Sequence, residues 1–261
     1  MKKKQSALRA VLTVCGAELK SFWGGPAAGV SLLVFLGLLG FFVYNSIAAY
    51  VVESLGAATR GQSLDASVAL FSQGLTHIPL VLMLVTPLVT MRSLAPFRRG
   101  GALDYFQTLP LSGGQLIMGQ YLAAFLSLAL LVLLALVPFA VFLGLGVGSL
   151  PALLSAALGL LALASGFAAV GLWASAAFPS PVGAGLGTLG ALGLMWVLGW
   201  AAPYTDDGFG RIWLGLSFGA RMGRFVLGLI DMGDLFFFAL LTILALLNAR
   251  FFLGLRRQGL D

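Results

Sequence analysis

The stretch APFRRGGALDYFQTLPLS, residues 95–112, gathers Arg98, Arg99, Asp104, Tyr105 and Phe106 between two apolar runs. These residue types suit recognition of a soluble protein, with an aromatic anchor for a groove and a polar rim of charge around it. Pro96 opposes straight continuation of the preceding helix, and Gly100 and Gly101 permit a sharp change of direction. Residues 102–107 then read as a short helix ending before Pro110, with Leu103 and Phe106 on one side of it. The two arginines could equally serve only to hold the loop on one side of a membrane. An acid beside two aromatics has no part in such retention.

Other chemistry-bearing residues are sparse. The single Cys15 excludes a disulfide framework, and with one histidine, His77, the usual zinc and iron–sulfur ligand sets cannot be assembled. Cys15 reads as a small buried hydrophobe and His77 as a helix-packing hydrogen-bond donor. No GxxxxGK[ST] occurs, so the chain has no P-loop. No His, Cys or acid pair stands within an apolar run to carry proton or nucleophile chemistry, which argues against an enzyme. Any energy source would then belong to another polypeptide.

The elements that must position these residues are membrane helices. Apolar residues make up 60% of the 261 positions and charged residues 9%, against about 25% charged in soluble domains. Six apolar segments are predicted spans: 27–50, 68–91, 115–145, 151–178, 183–202 and 233–253. Pro79, Pro87 and Pro138 fall inside them as tolerated kinks. Gly183, Gly187, Gly190 and Ala191 give the fifth span a surface for close helix packing. Before the first span, Leu8, Val11, Leu12, Cys15, Leu19 and Phe22 share a stripe opposite Arg9, Thr13 and Lys20. That pattern predicts an amphipathic helix lying at the membrane interface over residues 1–26, and no cleaved signal peptide is expected.

Charge fixes an orientation. With the N-terminus inside, eleven basic residues (Lys2, Lys3, Lys4, Arg9, Lys20, Arg92, Arg98, Arg99, Arg250, Arg256, Arg257) face the cytoplasm, and only Arg60, Arg211, Arg221 and Arg224 lie outside. The acids invert this pattern. Both termini and the segment 92–114 are therefore expected on the cytoplasmic side. The net charge of +6 reflects topology and attraction to anionic lipid headgroups, and nucleic acid is not needed to explain it.

The segment 203–232 lies between the fifth and sixth spans on the opposite side. Met222, Phe225, Val226 and Leu229 share one helical stripe, and Ser217, Arg221, Arg224 and Gly228 the other, which predicts an amphipathic helix at the outer interface, where a plain surface helix would rest its arginines on lipid phosphates. Asp231 and Asp234 are expected to cap or charge the start of the last helix.

TMRSLAPFRRGGALDYFQTLPLSGGQLIMGQYLAA resembles the second span, cytoplasmic loop and third span of ATP-binding-cassette (ABC) transporter permeases of the type-2 exporter class. The branch it most resembles is that of gliding-motility and nitrous-oxide-reductase-maturation permeases. Thr90, Met91, Arg92, Ala95, Arg98, Arg99, Gly101, Asp104, Thr108, Leu109, Pro110 and Gly119 stand at matching places. ELKSFWGGPAAGV is similar to that family's amphipathic first helix, and GLIDMGDLFFF to the segment leading into its last span. The pattern departs at Pro96 and Phe97, where the family places two glutamates.

This resemblance implies a single all-α integral membrane domain, 1–261, of six transmembrane helices in the bacterial cytoplasmic membrane. Arg92, Arg98, Arg99, Asp104, Tyr105 and Phe106 would couple it to a separate ATPase subunit. That partner would bind ATP and Mg, and this chain would carry no cofactor. Arg221, Arg224, Phe225, Asp231 and Asp234 would form an outer gate or interface on re-entrant or outer-leaflet helices. A second permease copy or homologous permease, membrane lipids and, in the gliding-motility branch, a large periplasmic subunit are the implied further partners. The alternative within the same resemblance is a scaffold or mechanical transmitter that uses an ATPase contact without moving a cargo of its own.

Overall fold

In the computed structural model of the chain, residues 2–59, 67–94, 112–201, 210, 213 and 215–257 are described, and every regular element among them is helical. In chain order these are α1 (Lys2–Trp23), α2 (Pro26–Thr59), α3 (Gln73–Thr90, preceded by a π-helical stretch Ser67–Ser72), α4 (Gly113–Gly144), α5 (Leu150–Ala177), α6 (Pro181–Ala201), α7 (Phe218–Val226) and α8 (Met232–Arg257). Six of them, α2 to α6 and α8, are long and apolar enough to cross a membrane. The fold is therefore that of a helical, multi-pass membrane protein.

These spans match the hydropathy segments to within a few residues, except that α2 runs nine residues past the expected boundary. Hydropathy ends where Glu53 appears, but nothing in VVESLGAAT breaks a helix, so the backbone continues. Ser112 caps α4 through a reciprocal pair of bonds with Gln115, which starts that helix at Gly113.

The spans divide into an inner pair and an outer set. In α3 and α5, 67% of the core window is buried, against 39% in α4 and 22% in α2, α6 and α8. The inner α5 touches α3, α4, α6, α7 and α8. Its small residues permit this. At Gly171 a Cβ would lie 2.3 Å from Thr90 Oγ1, and at Gly159 one would lie 2.5 Å from Phe225 Cγ. Side chains there would force α3 or α7 away. One polar seam crosses the apolar interior, from Tyr121 Oη to Ser165 Oγ (2.7 Å) and on to Thr242 Oγ1 (3.1 Å). It ties α4, α5 and α8 together with hydroxyls that have no water to turn to.

α1 packs against α4 and α2. Its stripe is divided, with Cys15 buried, Val11, Leu19 and Phe22 half-buried, and Leu8 and Leu12 exposed. The helix docks against α4, where Val14 sits so close to Gly119 that a Cβ there would lie 2.6 Å from Val14 Cβ. Trp23 donates to Ser127 Oγ at 3.2 Å, fixing the end of α1 on the same neighbour. His77 departs from its expected role, since its ring stacks on Phe42 at 4.8 Å and no hydrogen bond joins it to another described residue. On α6, Gly183 and Gly187 face Phe178 of the preceding turn, and Gly190 has open space around it, so they do not form one helix-packing surface.

The close approach at Gly171 makes a matched test. Gly171→Ala should cost about 1–3 kcal/mol by overpacking, whereas Gly190→Ala should be neutral or stabilising by up to about 1 kcal/mol through helix propensity. Denaturation midpoints of the two variants in detergent micelles check the contrast.

Candidate functional site

Two polar constellations stand at opposite ends of the bundle. The first is the root of the 95–111 segment. α3 ends at Thr90, and the chain turns through Met91, Arg92, Ser93 and Leu94. Met91 N–H donates to the Pro87 carbonyl at 2.8 Å, closing the last turn. Leu94 N–H donates to Ser175 Oγ of α5 at 2.9 Å, so the departing chain is fixed to the inner helix. Leu94, Leu116, Ile117, Leu172, Ala176 and Ala249 form a small separate core beneath this turn.

The returning chain is fixed to the same turn. Gln120 of α4, 1% exposed, donates through Nε2 to the Ser93 carbonyl at 2.7 Å. The two roots of the segment are thereby bonded to each other, and the departing one also to α5. Arg92 is exposed at this root. Arg98, Arg99, Asp104, Tyr105 and Phe106, with the short helix expected over 102–107, lie outside the described residues. Ser93, Gln120 and Ser175 were not singled out by sequence reasoning. The capping pattern Ser112-x-x-Gln115 was a signal for where α4 begins, but nothing in the sequence links Ser175 to Leu94 across the bundle.

The second constellation joins α7 to the start of α8. Asp234 is fully buried. Its Oδ1 accepts from Arg221 Nη1 at 2.6 Å and from Arg224 Nη2, and its Oδ2 accepts from Arg224 Nε at 2.8 Å. The Arg224 contact is thus bidentate, the strongest geometry available to a carboxylate and a guanidinium. Arg221 donates from Nε to the Gly215 carbonyl at 2.9 Å and again from Nη2, and it lies 4.0 Å over the Phe237 ring. The hydrogen bonds to Asp234, reinforced by the charges of Asp234 and Asp231, push the Arg224 guanidinium further above its already high pKa.

Asp231 caps α8, accepting from Gly233 N–H at 2.8 Å, as expected for an acid before a helix. Asp234 does something the sequence reading did not assign, serving as the buried counter-ion of both arginines. Phe225 points the other way, buried against Gly159 with Met222 and Val226. The apolar stripe of α7 therefore packs on α5 and α3. Both arginines bond to Asp234, and the Arg224 side chain is still 43% exposed. Leu229, predicted on the same stripe, is exposed because α7 ends at Val226 and Gly228 turns the chain with φ +83°.

The cluster couples three chain segments through one carboxylate. Both arginines are permanent cations, and Asp234 is bonded at both oxygens.

Asp234→Asn should cost about 3 kcal/mol, because it leaves two guanidinium groups facing a neutral amide in a buried position. Asp231→Asn, at an exposed position that retains a capping side chain, should cost under about 0.5 kcal/mol; thermal unfolding in detergent would read both. In comparisons with known proteins, no protein-family model matches this chain and no curated protein matches it.

Proposed function

We propose that the chain is the membrane-spanning permease subunit of an ABC exporter in the bacterial cytoplasmic membrane, coupling ATP hydrolysis by a separate ATPase to movement of a cargo. The observation that carries this reading is the root of the 95–111 segment. The described residues that flank a polar, aromatic-bearing segment are tied to α5 through Leu94 and Ser175, and to each other through Gln120 and Ser93. Force applied to the loop would reach α3, α4 and α5 together. A loop kept in the cytoplasm by positive charge alone needs no such attachment.

On this reading Phe106 and Tyr105 insert into a groove of the ATPase, while Arg92, Arg98, Arg99 and Asp104 surround them. Docked α1 would move with α4. The Arg221–Asp234–Arg224 cluster would hold the outer ends of α7 and α8 as one unit, so that the exit opens or closes as a block. A second copy or a homologous permease would complete the pathway. Pro96 and Phe97 replace two acids of the resembling family, and a partner permease that keeps them would share the task of seating the ATPases.

Affinity capture with the ATPase encoded nearest the gene tests the assignment. Phe106→Ala should weaken capture about tenfold or more, as expected for a central aromatic anchor, and Arg98→Ala by less. An ATPase that is captured equally well by the Phe106→Ala variant removes the loop from the contact. Failure to capture any P-loop ATPase overturns the assignment. Reconstituted vesicles then separate export from scaffolding, because ATP-dependent cargo movement is expected of the exporter, and ATP hydrolysis stimulated by the membrane subunit without movement is expected of the scaffold.

A further inference from the structure

Beneath the loop root, α1 presents Glu18 to a narrow cleft of about 10 Å³ whose walls include Phe22, Val89, Ser93, Ala123 and Ser127. That volume is on the order of one water molecule. Ser93 of this wall also holds a buried amide: Gln120 uses Nε2 on the Ser93 carbonyl, and its Oε1 has no hydrogen-bond partner among the described residues. Turning the amide over would set two oxygens against each other, so the Ser93 bond fixes which atom is left over. α1 and α4 run in step here, with Val14 at Gly119 and Trp23 bonded to Ser127. Glu18 therefore falls at the turn of α4 that carries Gln120 and Ala123, and Ser93 belongs to both the cleft and the amide bond.

We propose that α1 docks through a proton carried by Glu18: the neutral carboxyl donates, directly or through the one water that the cleft can hold, toward the orphan Oε1 of Gln120. Loss of that proton loosens α1 from the loop root. The inference concerns the contact between α1 and α4, and it holds or fails separately from any ATPase partner.

Among the described residues, no competing cation faces Glu18. No Lys or Arg nitrogen among the described residues lies within 4.0 Å of it, since each salt bridge among them belongs to Arg221 or Arg224. On α1, Lys20 is exposed, and Cys15 is buried with its thiol pushed up by that burial. On α4, Tyr121 is bonded to Ser165. After α3, Arg92 is exposed, and the titratable groups of α2 (Tyr44, Tyr50, Glu53) lie toward its other end. Burial accordingly pushes the Glu18 carboxyl above the ordinary carboxylate range. A carboxyl whose docked pKa is raised favours docking fully below its free value of about 4.3. Docking then weakens as pH rises from there through the raised value.

Cys15, the only cysteine, is 4% exposed on the docked face of α1 and reports the event. The full-length protein in detergent is labelled with dithiodipyridine from about pH 4 to pH 8, beside Glu18→Gln, whose amide keeps a donor at every pH. The ratio of native to Glu18→Gln labelling rates should start near one and rise roughly threefold or more. A ratio that stays flat overturns the proposal. In Gln120→Leu the dependence on pH should shrink, and a dependence equal to the native one removes Gln120 as the acceptor. Infrared titration of the native chain avoids any folding defect of the variants. A protonated-carboxyl band that persists above the ordinary carboxylate range is expected, and its absence overturns the proposal independently.

Discussion

The bilayer gives helices almost no reward for burying apolar faces against each other, because lipid tails are as apolar as leucine. Contact must then come from close packing and from polar bonds that find no water. The chain meets this constraint at α5. Gly171 and Gly159 let Thr90 and Phe225 approach its backbone closely enough that no Cβ would fit, and Ser165 supplies the middle hydroxyl of the seam joining α4, α5 and α8. The rest of the bundle is arranged around what α5 can accept.

The two ends of the bundle use different chemistry to hold a chain crossing. At the loop root the bonds are neutral, a serine hydroxyl and a glutamine amide meeting backbone groups, and a neutral bond can be exchanged for another at small cost. At the opposite end two guanidinium groups share a carboxylate removed from solvent, and separating them would strand charge in a dry site. One end is therefore held by neutral bonds and the other by a buried charge pairing.

Much of the fold was legible because lipid imposes length and composition on anything that crosses it. The six spans follow from runs such as LIMGQYLAAFLSLALLVLLALVPFAVFLG, where no other reading fits. What hydropathy cannot convey is which face of a span meets which neighbour. The docking of α1 depends on Val14 meeting Gly119, a complementarity in shape that leaves no periodic trace, and the tie of Leu94 to Ser175 joins residues far apart in sequence. The outer cluster was half visible. Arg221 and Arg224 stand three apart, as do Asp231 and Asp234, and Asp231 does cap its helix. That Asp234 would be drawn inward as a shared counter-ion depends on α7 turning its apolar stripe toward the core, which only the packed structure decides.

The length of α2 carries a mechanical consequence. Its 34 residues make a rod of about 51 Å at 1.5 Å per residue, well beyond the roughly 30 Å of hydrocarbon. It is joined to α1 by the short Gly24–Gly25 connection, and its chief neighbour along its length is α3. Tilting such a rod by 10° about that joint carries its far tip sideways by about 9 Å. Any rotation at that joint would therefore displace the far end of α2 much more than its near end.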